Sequence, residues 1–213
     1  GDGLCATAAE EMGLPIGTPV AVGMIDAHAG GIGTVGVLNG AVNNMAYVFG
    51  TSSCTMTTTE EAVFVPGVWG PYYSAMVPGY WLIEGGQSAA GAAIDQLLSF
   101  HPAAAAACEQ AKAAGVPLPV WLADRVLAQA ASPSEAVKLA AGLHVVPEFL
   151  GNRAPLADHH AKALIAGLGM ERDLDNLTAL YVAGLCGIGY GLRQILDAQR
   201  ACGIESENIV ISG

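Results

Sequence analysis

Two short stretches carry residue types that could do chemistry together. The first is Val22-Gly23-Met24-Ile25-Asp26-Ala27-His28-Ala29-Gly30-Gly31, an apolar run that leads into an acid and then into small residues. The second is Phe49-Gly50-Thr51-Ser52-Ser53-Cys54, a glycine and three hydroxyls between two runs of β-forming residues. An aspartate at the end of a strand can accept the proton of an attacking hydroxyl. A hydroxyl-rich tight turn can offer N–H and O–H groups to phosphate oxygens, and glycine lets backbone and phosphate approach closely. Together they suit phosphoryl transfer.

The same residues allow plainer readings. Asp26 could be the N-cap of a helix that starts at Ala27. Gly50-Thr51-Ser52 could be an ordinary hairpin turn. It is not a Walker loop, because none of Lys112, Lys138 and Lys162 follows a glycine. Arg153, in Gly151-Asn152-Arg153-Ala154-Pro155, could steady its loop through a salt bridge or hold a phosphate. His159 and His160 are adjacent and so point apart on any regular element, and His28, His101 and His144 add no ligand spacing. No protein-held metal is expected.

Elements must position these groups. Residues 4–12 read as a helix with Gly13 as its C-cap. Residues 20–25 read as a buried strand that holds Asp26 at its end, and 27–38 as a helix of small residues. Residues 42–49 and 53–59 form a hairpin around Gly50-Thr51. Residues 60–78 read as one long functional loop, 80–84 as a strand, and 87–100 as a helix entered through Gly85-Gly86. Residues 102–142 are Ala-rich and divide into three short helices, 103–114, 118–131 and 133–141, the last with Ser132 as N-cap and Pro133 at its start. Residues 143–146 and 162–167 read as strands, 173–202 as a long helix and 208–211 as a closing strand. Periodicity alone supports an α/β fold with a mixed sheet.

Composition sets outer bounds. The chain has 213 residues, of which 53% are hydrophobic and only 13% charged, so it can bury a sizeable core. Its net charge of −11 and its eight scattered Lys and Arg argue against nucleic acid as a partner. The five cysteines are far apart and odd in number, which suits reduced thiols and a cytoplasmic location. Residues 176–192 are uncharged and approach the length of a membrane span. Their glycines and charged flanks favour a core helix, so no membrane is expected. The first residue is Gly1, and a strand that runs into Gly213 suggests an excerpt of a longer protein.

These stretches, with Pro66–Tyr73, Glu84–Ser88 and Gly151–Asp158, resemble the FGGY carbohydrate kinase family, and within it the D-ribulokinase branch. The resemblance implies an actin-like ATPase (ribonuclease H-like) domain over residues 20–213, with a helical insertion at about 102–142. Residues 1–19 would be the end of a first domain and the hinge. It implies ATP-dependent phosphorylation of a pentulose, D-ribulose before L-ribulose, xylulose or ribitol, with Asp26 as catalytic base against the sugar hydroxyl. It implies ATP contacts at Gly50, Thr51 and Ser52, at Gly91 on the following helix, and at Gly213, the first residue of an adenine-binding Gly-Gly pair. Asp95 stands where related glycerol kinases have a glutamine, so that contact is not carried over. Mg²⁺ would arrive with ATP, and a homodimer is the expectation for the full-length protein. Two other classes are a non-catalytic actin-like scaffold, which needs no acid at position 26, and a small sugar-binding module built on the aromatic 60–78 segment.

Overall fold

The computed structural model describes residues 3–21, 23–36 and 40–213. The centre is a five-stranded mixed sheet of order β3-β4-β2-β1-β7. Its strands are β1 (Asn44–Phe49), β2 (Ser53–Thr59), β3 (Trp69–Tyr73), β4 (Trp81–Gln87) and β7 (Asn208–Ser212). β1 and β2 form the expected antiparallel hairpin, with Phe49 opposite Ser53. β4 adds to β2, β3 adds to β4, and β7 lies parallel to β1.

The alternation of side chains along the strands builds two faces. Ala46, Met56 and Leu82 face one way and pack with Val35 of α2 (Asp26–Gly36) and with Met76. α2 sits close because it is made of small residues. A Cβ at Gly31 would lie 2.9 Å from the Met76 sulfur and 3.0 Å from that of Met56. On the other face, Ile83 packs with Val65, Val68, Ala154 and Ile195. There α3 (Gly91–Ser99) and the 28-residue α6 (Leu174–Ala201) form the largest core, around Leu97, Leu98, Leu177 and Leu180.

By length and composition α6 could cross a membrane, yet in this fold it is a core helix that buries Leu177, Leu180, Tyr181, Val182 and Ile188. Its glycines do not break it. Asp173 caps it by accepting the N–H of Asn176 at 2.8 Å. The Ala-rich segment folds as expected into α4 (Ala104–Ala113), α5 (Leu118–Gln129) and a 3-10 helix (Pro133–Ala140) capped by Ser132. α1 (Ala6–Met12) ends at Gly13 with φ of 65°. β5 (His144–Val146) and β6 (Leu164–Ala166) pair with each other and not with the main sheet.

Four expectations need correction. Residues 20, 21 and 23–25 do not form the expected strand. Residues 20, 21 and 23–25 are irregular and exposed, Val20 at 59% and Ile25 at 61%, and Val22 lies outside the described residues. An apolar run becomes a strand only where a neighbour supplies hydrogen bonds, and none of the described strands pairs with it. α2 begins at Asp26, and residues 37 and 38 of the expected helix also lie outside the described set. The 60–78 segment is not all loop, because Trp69–Tyr73 adds an edge strand across a register shift. Gly85 and Gly86 are not a turn: β4 runs on to Gln87, and α3 starts at Gly91.

Candidate active-site cleft

The Gly50–Ser52 turn is held by an unusual docking. Gly50 N–H donates to the Ser52 carbonyl at 2.9 Å, closing the turn. The amides at the start of α3 then donate outward to the turn: Ala90 to the Thr51 carbonyl at 2.9 Å, Gly91 to the Gly50 carbonyl at 2.9 Å, and Ala92 to the Thr51 carbonyl at 3.2 Å. Helix N-termini leave such donors free. Here the turn takes them, so the positive end of α3 is applied to the turn itself. Gly50, Thr51 and Ser52 remain exposed.

Below the turn a buried polar network fixes the hairpin. Gln87 Oε1 accepts the Tyr47 hydroxyl at 3.0 Å and the Ser53 hydroxyl at 2.9 Å, and Gln87 Nε2 donates to the Ile188 carbonyl of α6 at 2.8 Å. Burial pushes the Tyr47 phenol up, against a smaller opposing effect of the Ser53 bond, so the phenol stays protonated as a donor. Gly191 leaves room for the Gln87 amide.

Asp26 is the first residue of α2 and is exposed. The Ile25 carbonyl accepts the Ala29 N–H at 3.0 Å, and Asp26 Oδ1 accepts the Ala27 N–H at 2.8 Å. The side chain therefore bonds the neighbouring amide from inside the helix and does not cap a helix that starts at Ala27, contrary to the plainer reading, and it remains open to solvent. It is positioned by a helix N-terminus and not by a strand end. One turn face further on, His28 is buried and bonds Glu84 through Nε2 to Oε2 at 3.0 Å.

The fold brings these groups into one cleft of about 800 Å³. Its lining includes Asp26, His28, Gly50, Thr51, Ser52, Trp69, Tyr72, Glu84 and Arg153. Gly91 and Gly213 are not part of the lining. Gly91 lies against the back of the turn, and Gly213 packs on Phe49 at the adjoining ends of β1 and β7. Arg153 forms no salt bridge among the described residues. It donates to the Ser53 carbonyl at 3.2 Å and to the Cys54 sulfur at 3.4 Å, and lies 4.6 Å over the Trp69 ring.

Glu84, Trp69 and Tyr72 are cleft residues that their motifs alone did not single out. An acid inside the otherwise apolar Trp81–Gly86 run was the available signal for Glu84. Nothing local marks Trp69 and Tyr72, since their place depends on β3 joining the sheet.

Comparison with solved structures first defines the class. A xylulose kinase from Rhodospirillum rubrum superposes with a TM-score of 0.66 at 25% identity, over 94% of this chain and 36% of that one. A xylulose kinase from Lactobacillus acidophilus gives 0.66 at 18%, over 98% and 37%. The fold is that of the actin-like sugar kinases, an α/β domain with a mixed sheet flanked by helices.

Residues 45–213 match the FGGY family of carbohydrate kinases, C-terminal domain, and the chain belongs to that family. An FGGY carbohydrate kinase domain-containing protein of Xenopus laevis is 44% identical over all of this chain and 40% of its own length. The corresponding protein of Homo sapiens is 41% identical, over 100% and 40%. A D-ribulokinase of Saccharomyces cerevisiae is 33% identical, over 97% and 32%. The chain thus spans about two fifths or less of the length of these relatives.

Proposed function

We propose that the full-length protein transfers the γ-phosphoryl group of ATP to a hydroxyl of a pentulose, D-ribulose in the first place. The observation that carries this reading is the convergence of Asp26 with Gly50, Thr51 and Ser52 in one cleft, across 24 to 26 residues of sequence and two different elements. Asp26 would accept the proton of the sugar hydroxyl as the new P–O bond forms. Thr51 and Ser52 would donate to phosphate oxygens from a turn whose geometry α3 fixes in advance. Mg²⁺ would enter with ATP and offset charge on its phosphates. Gly91 would serve the nucleotide by letting the turn seat on α3, and Gly213 by continuing the wall beside Phe49.

D-ribulose is preferred because the motifs resemble that branch and a D-ribulokinase is among the relatives. L-ribulose, xylulose and ribitol are the competing acceptors. Cytoplasmic location and homodimerisation belong to the same proposal. A coupled assay of the full-length protein with ATP and a panel of pentuloses and pentitols tests it. D-ribulose is expected to give the highest kcat/KM. A pentitol or a hexose ahead of every pentulose would reject the substrate assignment, and no ATP-dependent phosphorylation of any sugar would favour the scaffold reading.

A further inference from the structure

We propose that Arg153 is the cation that holds the phosphoryl group in the cleft, before and after its transfer. This rests on the kinase reading above. Arg153 shares the cleft wall with Asp26, Gly50, Thr51 and Ser52. Its three protein contacts are a carbonyl, a thiol and an aromatic face. None carries a negative charge of the kind a guanidinium ordinarily pairs with.

Of the other seven cations, Lys112, Arg125, Lys138, Arg193 and Arg200 each pair with a carboxylate. Lys162 and Arg172 form no ion pair among the described residues, but both are exposed to water, whereas Arg153 is half-buried. Arg153 has no carboxylate within ion-pair distance among the described residues, although the protein carries a net charge of −11 and Glu84 and Asp26 line the same cleft. A guanidinium stays charged at every ordinary pH. Holding one partly out of water without a counterion is unfavourable. The arrangement makes sense if the anion arrives and leaves with each turnover.

Placement narrows the anion to a phosphoryl group. Both polar contacts of Arg153, Ser53 and Cys54, directly follow the Gly50–Ser52 turn. Both use Nη1, so most of the five guanidinium N–H donors remain for a ligand. The loop is also firmly held. Asn152 N–H donates to the Asp158 carbonyl at 2.8 Å, and Asn152 Oδ1 accepts the Leu156 N–H at 3.0 Å. Gly67, at φ of 73°, brings the segment that carries Trp69 against the Pro155 carbonyl, where no side chain would fit.

In the transfer, the bond between the γ-phosphorus and the β–γ bridging oxygen breaks, and its electron pair leaves with ADP. A bond forms from the sugar oxygen to phosphorus, and the hydroxyl proton passes to Asp26. Charge on the three equatorial oxygens is what a planar, multi-donor guanidinium is shaped to meet.

The test uses the full-length protein with Arg153→Gln and Arg153→Lys. Loss of one donor to developing charge predicts a fall in kcat of about 10²–10³-fold for the Gln variant, with sugar KM changed by less than about threefold. Lys, which restores a point charge but not the stack on Trp69, should recover at least about tenfold of that loss. A Gln variant with near-normal kcat, or a Lys variant no better than Gln, would overturn the proposal and leave Arg153 as a staple for Trp69. A second measurement uses unaltered protein. Phenylglyoxal labelling followed by peptide mass spectrometry should show Arg153 protected by inorganic phosphate and by the sugar phosphate product, but not by free sugar. Equal protection by free sugar, or none by phosphate, would overturn it. Failure of the kinase reading is separately visible, as absence of sugar phosphorylation by the unaltered protein, whatever the labelling shows.

Discussion

Gly91 donates its amide to the Gly50 carbonyl at 2.9 Å, and a Cβ placed on Gly91 would lie 2.8 Å from that same oxygen. The helix and the turn can meet only because position 91 has no side chain. The atom in the way is backbone, so the clash cannot be relieved by a rotamer change. Gly91→Ala is expected to push the turn off α3 and to destabilise the domain by about 1–3 kcal/mol, the usual range for overpacking. ATP KM should rise with it. Thermal denaturation and steady-state kinetics check both, and an alanine variant with unchanged melting and KM would show that the turn is not seated this way.

His28 and Glu84 are both largely buried, and their side chains are 6% and 12% exposed. Replacing His28 by Leu leaves a buried carboxylate without its partner, which should cost about 1–3 kcal/mol. His28→Gln retains an N–H donor and should recover part of that. Chemical denaturation of the three proteins settles it, and a Leu variant no less stable than the Gln variant would show that the pair adds nothing.

Asp26→Asn keeps the shape of the side chain and an oxygen for the Ala27 N–H, but removes the proposed base. In the full-length protein kcat should fall by about 10²-fold or more, with little change in ATP affinity and in stability. Near-normal turnover would end the assignment of Asp26 as base.

Thr51→Val removes one hydroxyl from the exposed turn and nothing from the core. Loss of a hydrogen bond to a charged phosphate should weaken ATP use by about 1–3 kcal/mol in kcat/KM. Melting should be unchanged. Equal kinetics with Thr and Val would reduce the turn to a structural hairpin.

Glu148 offers a test by pH. Burial pushes its carboxyl above the ordinary value of 4.5, and the bond from Asn152 Nδ2 pulls it only part of the way back. The folded protein therefore holds this proton more tightly than the unfolded chain. The stability from that preference is fully present below about 4.5 and is lost as pH rises through the raised folded value. Glu148→Gln keeps the acceptor for Asn152 and carries no charge. It should melt slightly higher than the parent at pH 7, by about 1 °C after allowance for solvent screening. The advantage should shrink and vanish as pH falls below 4.5. An advantage independent of pH would point to packing instead.

Much of the fold was legible because its signals are local. The hairpin needs only two β-forming runs about Gly50-Thr51. Asp173 and Ser132 announce helix starts by side-chain bonds within one turn, and Gly13 ends a helix by adopting a positive φ. Asp26 and the Gly50–Ser52 turn, singled out by their residue types, also lie in one cleft. What tertiary structure alone decided depends on distant partners. Residues 20–25 have the composition of a strand, but a strand exists only beside another, and the described sheet offers this run none. Trp69–Tyr73 has the composition of a loop, yet it is ordered as a strand by the free edge of β4. His28 gained Glu84, 56 residues away, and Arg153 gained Ser53, Cys54 and Trp69 in place of the expected salt bridge. Such pairings are set by which edges, faces and loops the packed core brings together, and short-range sequence pattern carries no record of them.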